Sequence, residues 1–305
     1  MNILHIYRGY GDSLINPVID NQIASLSVLD YSNHKFILNR GGIKYLTYIV
    51  KLRRIIRKKE IDIIHSHYSF SGFFASFGLS GKPVICSLMG SDVYSSKLHL
   101  LFLKFFSKYI WRRTIVKSKK MQKKIPNSLV IPNGVDFQNF SPKDKVDSLN
   151  KVRFDSQKNN VVFIAVNSQA SVKNLALAEK AIESLNDRDI VLHKLSGVSF
   201  EDLPYYYSAA DLMLMTSLSE GSPNVIKEAM ACNCPIVSTD VGDVDEIIST
   251  TKGCFITSFE VDDVVEKIGS SLLFLGRTTG RNSIKHLDSR NVSKRILSIY
   301  NEIVN

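Results

Sequence analysis

A chain of 305 residues with 44% apolar and 22% charged residues exceeds the usual single-domain size and has a globular balance, so two domains are expected and disorder is excluded. No apolar run reaches the ~18 residues of a membrane helix, and Met1–Tyr7 enters an apolar strand with no basic region ahead of it, so a cytosolic protein is expected. The net charge of +10 is uneven: residues 1–140 carry 21 Lys or Arg against 7 Asp or Glu, or +14, whereas 141–305 carry 18 against 22, or −4.

In chain order, short apolar runs predict strands at Asn2–Tyr7, Lys35–Leu38, Ile61–His65, Pro83–Leu88, Thr114–Lys117 and Ser128–Ile131, with helical stretches such as Tyr45–Lys59 between them. The second half repeats the scheme at Val161–Val166, Ile190–Lys194, Asp211–Thr216, Pro235–Ser238 and Cys254–Ile256. This alternation predicts an α/β protein of two doubly wound parallel sheets. The boundary is expected in Phe140–Lys145, giving domains 1–140 and 141–288, with 289–305 a C-terminal helix packing back on the first domain. Ligands of such sheets sit beyond the carboxyl ends of the strands, so a cleft between the domains is the expected site.

The first strand leads into Arg8-Gly9-Tyr10-Gly11, where Gly9 and Gly11 either line the ligand site or make a plain tight turn; Leu14 stands where a GxGxxG fingerprint needs its third glycine, which argues against a nicotinamide cofactor. His65 and His67 end the third strand and are expected to point in alternate directions, one toward the ligand and one behind it. As a metal pair they lack a nearby acid or Cys. Met89-Gly90-Ser91-Asp92 offers a carboxylate and a flexible turn at the same sheet edge. The four cysteines, Cys86, Cys232, Cys234 and Cys254, lack metal-type spacing and are expected to be reduced.

From Lys97 to Lys124 ten Lys or Arg occur without an acid, interleaved with Leu98, Leu101, Phe105, Tyr109 and Trp111. This reads as a basic amphipathic helix on an anionic membrane surface, in preference to an ordinary domain helix; a nucleic-acid partner is not expected.

Ser217–Ala231 carries the most chemistry. It joins a strand, a polar turn and a helix start, with Glu220 and Glu228 eight positions apart. Ser222 is the predicted N-cap and Pro223 the first helical residue, which leaves the amides of Asn224, Val225 and Ile226 free for a diphosphate. One carboxylate can then meet a sugar and the other a ribose. Lys173, in the polar loop after the seventh strand, is placed to meet the diphosphate as a point charge. Asp243-Val244-Asp245 spells DxD, but it stands at a helix start where aspartates cap, so no metal is assigned to it.

Together these residues resemble the family 4 retaining glycosyltransferases of the GT-B fold, and the closest likeness is to bacterial surface-polysaccharide members. Glu220 to Glu228 matches the E-x7-E motif, Val130–Asp136 with Asn133 matches the interdomain signature, and Met89–Asp92 resembles the HGSD segment. The resemblance implies two Rossmann-like domains facing across a cleft, the first on the acceptor side and the second binding the nucleotide-sugar. It implies that Glu228 binds the ribose, Glu220 and His67 contact the donor sugar, and Lys173 neutralises the departing diphosphate. Gly221 and the amides of Ser222, Pro223's neighbour Asn224, and Val225 line its oxygens. Front-face attack needs neither a metal nor a cofactor beyond the nucleotide diphosphate sugar, UDP before GDP, with a saccharide or lipid-linked acceptor. The chain departs from the pattern where Ala165-Val166-Asn167-Ser168 lacks the usual Gly-Arg pair. That departure motivates one rival, a catalytically weak nucleotide-sugar-binding subunit; a GT-B sugar-nucleotide epimerase is a second.

Overall fold

The computed structural model describes residues 1–9, 16–27, 31–39, 44–78, 81–164 and 170–304. It divides into two compact units, Met1–Gly134 with Ser289–Asn305, and Val135–Asp288.

In the first unit, strands β1 (Asn2–Arg8), β2 (Ser32–Leu38), β3 (Ile63–His67), β4 (Val84–Ser87), β5 (Arg113–Val116) and β6 (Leu129–Val130) form one parallel sheet in the order β2-β1-β3-β4-β5-β6. Strand periodicity sorts the side chains. Leu4, Ile6, Ile64 and Cys86 join one core with Leu52, Phe74, Leu103 and Trp111. Ile3, Ile63, Ile85 and Ile115 join the other with Val292, Ile296, Ile299 and Tyr300 of the helix Ser289–Val304. The C-terminal helix therefore packs on this face of the sheet, together with Leu26 of the helix Pro17–Ser27.

In the second unit, β7 (Asn159–Ile164), β8 (Ile190–Leu195), β9 (Leu212–Met215), β10 (Ile236–Thr239) and β11 (Cys254–Thr257) run parallel in the order β11-β10-β9-β7-β8. β9 is wholly apolar, as are Ile236 and Val237 of β10, because both faces of these strands are covered.

Residues 135–140 belong to the second unit, not the first. Val135 bridges to Asp288, Phe140 is buried edge-on to Phe200 at 5.0 Å, and Arg281 donates to the carbonyls of Phe137 and Phe140. These partners lie far along the chain, which is why a local polar stretch misplaced the boundary. All four cysteines are buried free thiols.

Candidate active site

The site in the second unit is built where β9 ends. The Thr216 hydroxyl donates to the carbonyls of Lys173 (3.1 Å) and Asn174 (2.8 Å), and the Leu218 amide donates to the Val172 carbonyl (2.8 Å). The end of the short helix Ala170–Lys173 is thereby tied to the loop after β9. The consequence is direct: Lys173 Nζ donates to Glu220 Oε1 at 2.6 Å, with both side chains mostly buried. Two residues 47 positions apart are brought into one ion pair.

The helix at this loop spans Asn224–Ala231, with Pro223 as its N-cap in extended conformation and no side-chain cap. Ser222 is not the cap. Its hydroxyl donates to Asp243 Oδ2 at 2.6 Å and accepts from the Lys227 ammonium, so it is held away from the helix amides. Lys227 is completely buried and stands 3.6 Å from Asp243 Oδ2. Asp243, likewise, makes no side-chain cap at the helix Val244–Ile248. It serves as the counter-charge of Lys227 instead. Burial pushes the Asp243 carboxyl up and the Lys227 ammonium down, and each opposes the shift of the other. Gly242 closes the arrangement with φ of +60°, and a Cβ there would stand 2.7 Å from the Gly221 carbonyl oxygen. The loop Gly221–Pro223 is thus fixed from below, while the first amides of the helix have no intrahelical acceptors. Gly221 is buried and Val225 half-buried beside them. The Asn224 Oδ1 atom is buried without a hydrogen-bond partner among the described residues.

Glu228 lies one turn into the same helix. Its Oε2 accepts from the Tyr207 hydroxyl at 3.0 Å. Burial pushes its carboxyl up to about 7, against the pull of the Tyr207 bond and of the Lys227 and Lys173 charges. A carboxyl poised there has one oxygen taken and one left to accept a vicinal hydroxyl. Tyr207, Lys227 and the paired arginines Arg277 and Arg281 escaped the sequence reading. Arg277 donates to the carbonyls of Ala210, Tyr207 and Cys232, and Arg281 to that of Ala231, so they close helix ends at the back of the site. The available signal was Lys227 itself: a lysine inside the apolar run Ile226–Cys232 must have a buried partner.

His67, Gly9 and Asn133 belong to the first unit. His65 and His67 do not alternate: residues two apart share a strand face, and their rings stack at 4.4 Å. His5 of β1 joins them, with Nδ1 3.3 Å from His67 Nε2. The sequence showed no third ligand because this one comes from another strand; the three imidazoles offer ligand atoms within 4.8 Å of one another. Burial pushes all three histidines down, His5 to about 4, so the cluster is neutral. Gly9 is half-buried just past β1, and Gly11 lies outside the described residues, as do Leu14 and the stretch Ala165–Ser168. Asn133 is buried next to Gly134, whose missing side chain admits Ser289, since a Cβ would meet Ser289 Cα at 2.7 Å. Asp92 offers no free carboxylate: it accepts from the amides of Ser69, Met89 and Gly90 at 3.0–3.1 Å and so builds its own turn.

The basic stretch Lys97–Lys124 is not one helix. It comprises the helix Lys97–Tyr109, β5 and the helix Lys119–Lys124, and Lys117 is fully buried. Only the first of these presents an apolar face, with Leu98, Leu101, Phe102, Phe105 and Tyr109 exposed. No helix among the described residues is long and apolar enough to cross a membrane.

Comparison with known proteins agrees with this geometry. The family description "Glycosyl transferases group 1" matches residues 143–273, and "Glycosyl transferase 4-like" matches residues 15–119. The chain is 28% identical over 247 residues to the uncharacterized glycosyltransferase MJ1178 of Methanocaldococcus jannaschii, covering 74% of this chain and 70% of that protein. It is 22% identical over 307 residues to the UDP-Gal:alpha-D-GlcNAc-diphosphoundecaprenol alpha-1,3-galactosyltransferase of Escherichia coli, covering 86% and 78%. Among solved structures, a glycosyltransferase from Rickettsia africae superposes with a TM-score of 0.80 at 16% identity over 100% of both chains. Anabaena HepE in complex with UDP-glucose superposes with a TM-score of 0.79 at 14% identity over 98% of this chain and 99% of that one. With two parallel-sheet units, the E-x7-E helix and these relatives together, the chain belongs to the GT4-type glycosyltransferases of the GT-B fold.

Proposed function

We propose that the protein transfers a hexose, with retention of configuration and without a divalent metal, from a UDP-sugar to a saccharide or lipid-linked acceptor of bacterial surface polysaccharide. The observation that carries this reading is the Lys173–Glu220 pair beside the free amides of Asn224 and Val225. A diphosphate at those amides offers Lys173 two negative oxygens in exchange for one carboxylate. Glu220, released, then accepts hydroxyls of the donor sugar, and Glu228 those of the ribose. As the bond from the anomeric carbon to the phosphate oxygen breaks, that oxygen gains charge next to Lys173 and the helix N-terminus. The acceptor hydroxyl bonds to the same carbon and gives its proton to the leaving phosphate, so no metal or carboxylate nucleophile enters the balance. The UDP carrier and a lipid-linked acceptor draw support from the Escherichia coli relative, whose name specifies both, and UDP from the HepE complex. GDP is the second choice of carrier. The exposed apolar face of the helix Lys97–Tyr109, with Lys104 and Lys108 in it, supports a peripheral position on an anionic, cytoplasmic membrane face.

A thermal-shift screen of UDP, GDP, ADP, NAD and UDP- and GDP-sugars, with and without EDTA, tests the donor half. Saturable stabilisation by one uridine family that survives EDTA is the expected outcome. Stabilisation that disappears with EDTA, or that only NAD produces, refutes the proposal.

A further inference from the structure

The histidine cluster of the first unit has a proton order that can be worked out from its outermost partner. Asn33 Nδ2 donates to the Ser27 hydroxyl (3.2 Å) and to the Tyr31 carbonyl (3.1 Å), which fixes the orientation of the amide and turns Oδ1 toward His5. His5 Nε2 stands 2.9 Å from that oxygen, so Nε2 must carry the proton. His5 is fully buried with its ring held neutral, which leaves Nδ1 as a bare lone pair. His67 Nε2, 3.3 Å away, must then be a donor to it. His67 is neutral for the same reason, so its own Nδ1 is bare, and this atom is buried with no hydrogen-bond partner among the described residues. His65 does not compete, because its two nitrogens are taken by the Tyr300 and Ser87 hydroxyls.

We propose that Asn33 and His5 are positioning residues that hold His67 in its Nε2–H tautomer, so that His67 Nδ1 accepts a hydrogen bond from a hydroxyl of the saccharide ligand. The inference rests on the glycosyltransferase reading for the identity of the hydroxyl and on the hydrogen-bond geometry for the tautomer. His67 is the last residue of β3, at the carboxyl edge where ligands of parallel sheets bind. Tyr68, which follows it, has φ of +68° and ψ of 151°, a conformation that side-chain-bearing residues rarely adopt. Its amide is held by the Ser87 carbonyl at 2.8 Å, and its carbonyl accepts from Gly72 at 3.1 Å. Such strain concentrates where a neighbouring group must be aimed.

The same three imidazoles have the spacing of a metal set, yet two features oppose an ion. The charge of Lys117 already acts on His65 and His67, and a metal on His67 Nε2 would move the ring proton to Nδ1, where no acceptor receives it.

The test uses the full-length protein with 15N-labelled histidine. Two-bond proton–nitrogen correlation spectra at neutral pH are assigned with His5→Gln and His67→Asn. The expected result is a protonated Nε2 and a bare Nδ1 on both His5 and His67, and tautomer exchange at both rings in Asn33→Leu. A protonated Nδ1 on His67, or stoichiometric zinc uptake that perturbs all three rings, overturns the proposal. Adding UDP-hexoses is expected to move the His67 Nδ1 resonance upfield where UDP alone does not; a bound UDP-hexose that leaves it unmoved overturns the acceptor role. His67→Asn, whose amide oxygen can occupy the Nδ1 position, is expected to retain at least tenfold more kcat/KM than His67→Gln. If UDP and every UDP-hexose fail to bind while the tautomer pattern stands, the glycosyltransferase reading fails and the positioning role does not.

Discussion

Lys173 Nζ lies 2.6 Å from Glu220 Oε1, an ion pair in which both side chains are mostly buried. On the proposed function, a diphosphate and a sugar would need this cation and anion apart, so donor binding is expected to exchange their partners.

Replacing Lys173 with Ala is expected to lower kcat by roughly 100- to 1,000-fold, the usual cost of losing one charge stabiliser at a leaving group. Global stability is expected to fall by roughly 1–3 kcal/mol, since the variant leaves the mostly buried Glu220 without its partner. Glu220→Gln should behave differently: it frees the ammonium, so UDP binds more tightly while sugar transfer falls. Steady-state kinetics and UDP titrations of both variants separate the two effects.

On the same proposal, Glu228 is expected to make donor binding depend on pH. Its folded value is raised from 4.5 to about 7 by burial, so its contribution to stability is full below about 4.5 and is lost as pH rises through 7. The whole change is on the order of 3 kcal/mol. Ribose hydroxyls need the ionised acceptor, so UDP affinity is expected to rise between pH 6 and 8, and binding near pH 7 to release protons. Calorimetry in two buffers of different ionisation enthalpy measures that release. Glu228→Gln should bind weakly with no pH dependence over the same range.

Lys227 is the buried support of the loop. Lys227→Met leaves Asp243 in the core without its counter-charge, a loss expected at about 3–5 kcal/mol. Adding Asp243→Asn should recover part of it, because the second change removes the unpaired charge. Denaturant unfolding of the single and double variants checks the sign of the coupling; equal stabilities of the single variant and the parent would contradict the role given to Lys227.

The helix Lys97–Tyr109 should bind anionic vesicles in a salt-sensitive way, with Phe102→Ser/Phe105→Ser reducing partitioning and leaving UDP binding intact. Cosedimentation with neutral and anionic vesicles decides it. Equal partitioning to both removes the electrostatic part.

Much of this was legible in the sequence for a physical reason. Runs such as Leu212–Met215 are apolar on both faces because helices cover both, and such runs can be found locally. The spacing from Glu220 to Glu228 survives for the same reason, since one strand end, one turn and one helix hold both. What escaped depends on partners distant in sequence. Phe140 reads as linker until Phe200 packs on it, and Asp243 reads as a cap until Lys227 reaches it. His5 reads as an ordinary strand residue, although the pairing of His5 with His65 across β1 and β3 is what assembles the cluster. The opposite directions assigned to His65 and His67 were an error of periodicity that the two-residue strand repeat corrects.

The central claim is that the Lys173, Glu220 and Glu228 set receives a nucleotide diphosphate sugar without a metal. Calorimetric titration of the full-length protein with UDP in EDTA, repeated on Lys173→Ala and Glu228→Gln, tests it most directly. Saturable binding to the parent that weakens at least tenfold in each variant is the expected result. Binding that needs a divalent ion, or that both variants retain in full, would contradict it.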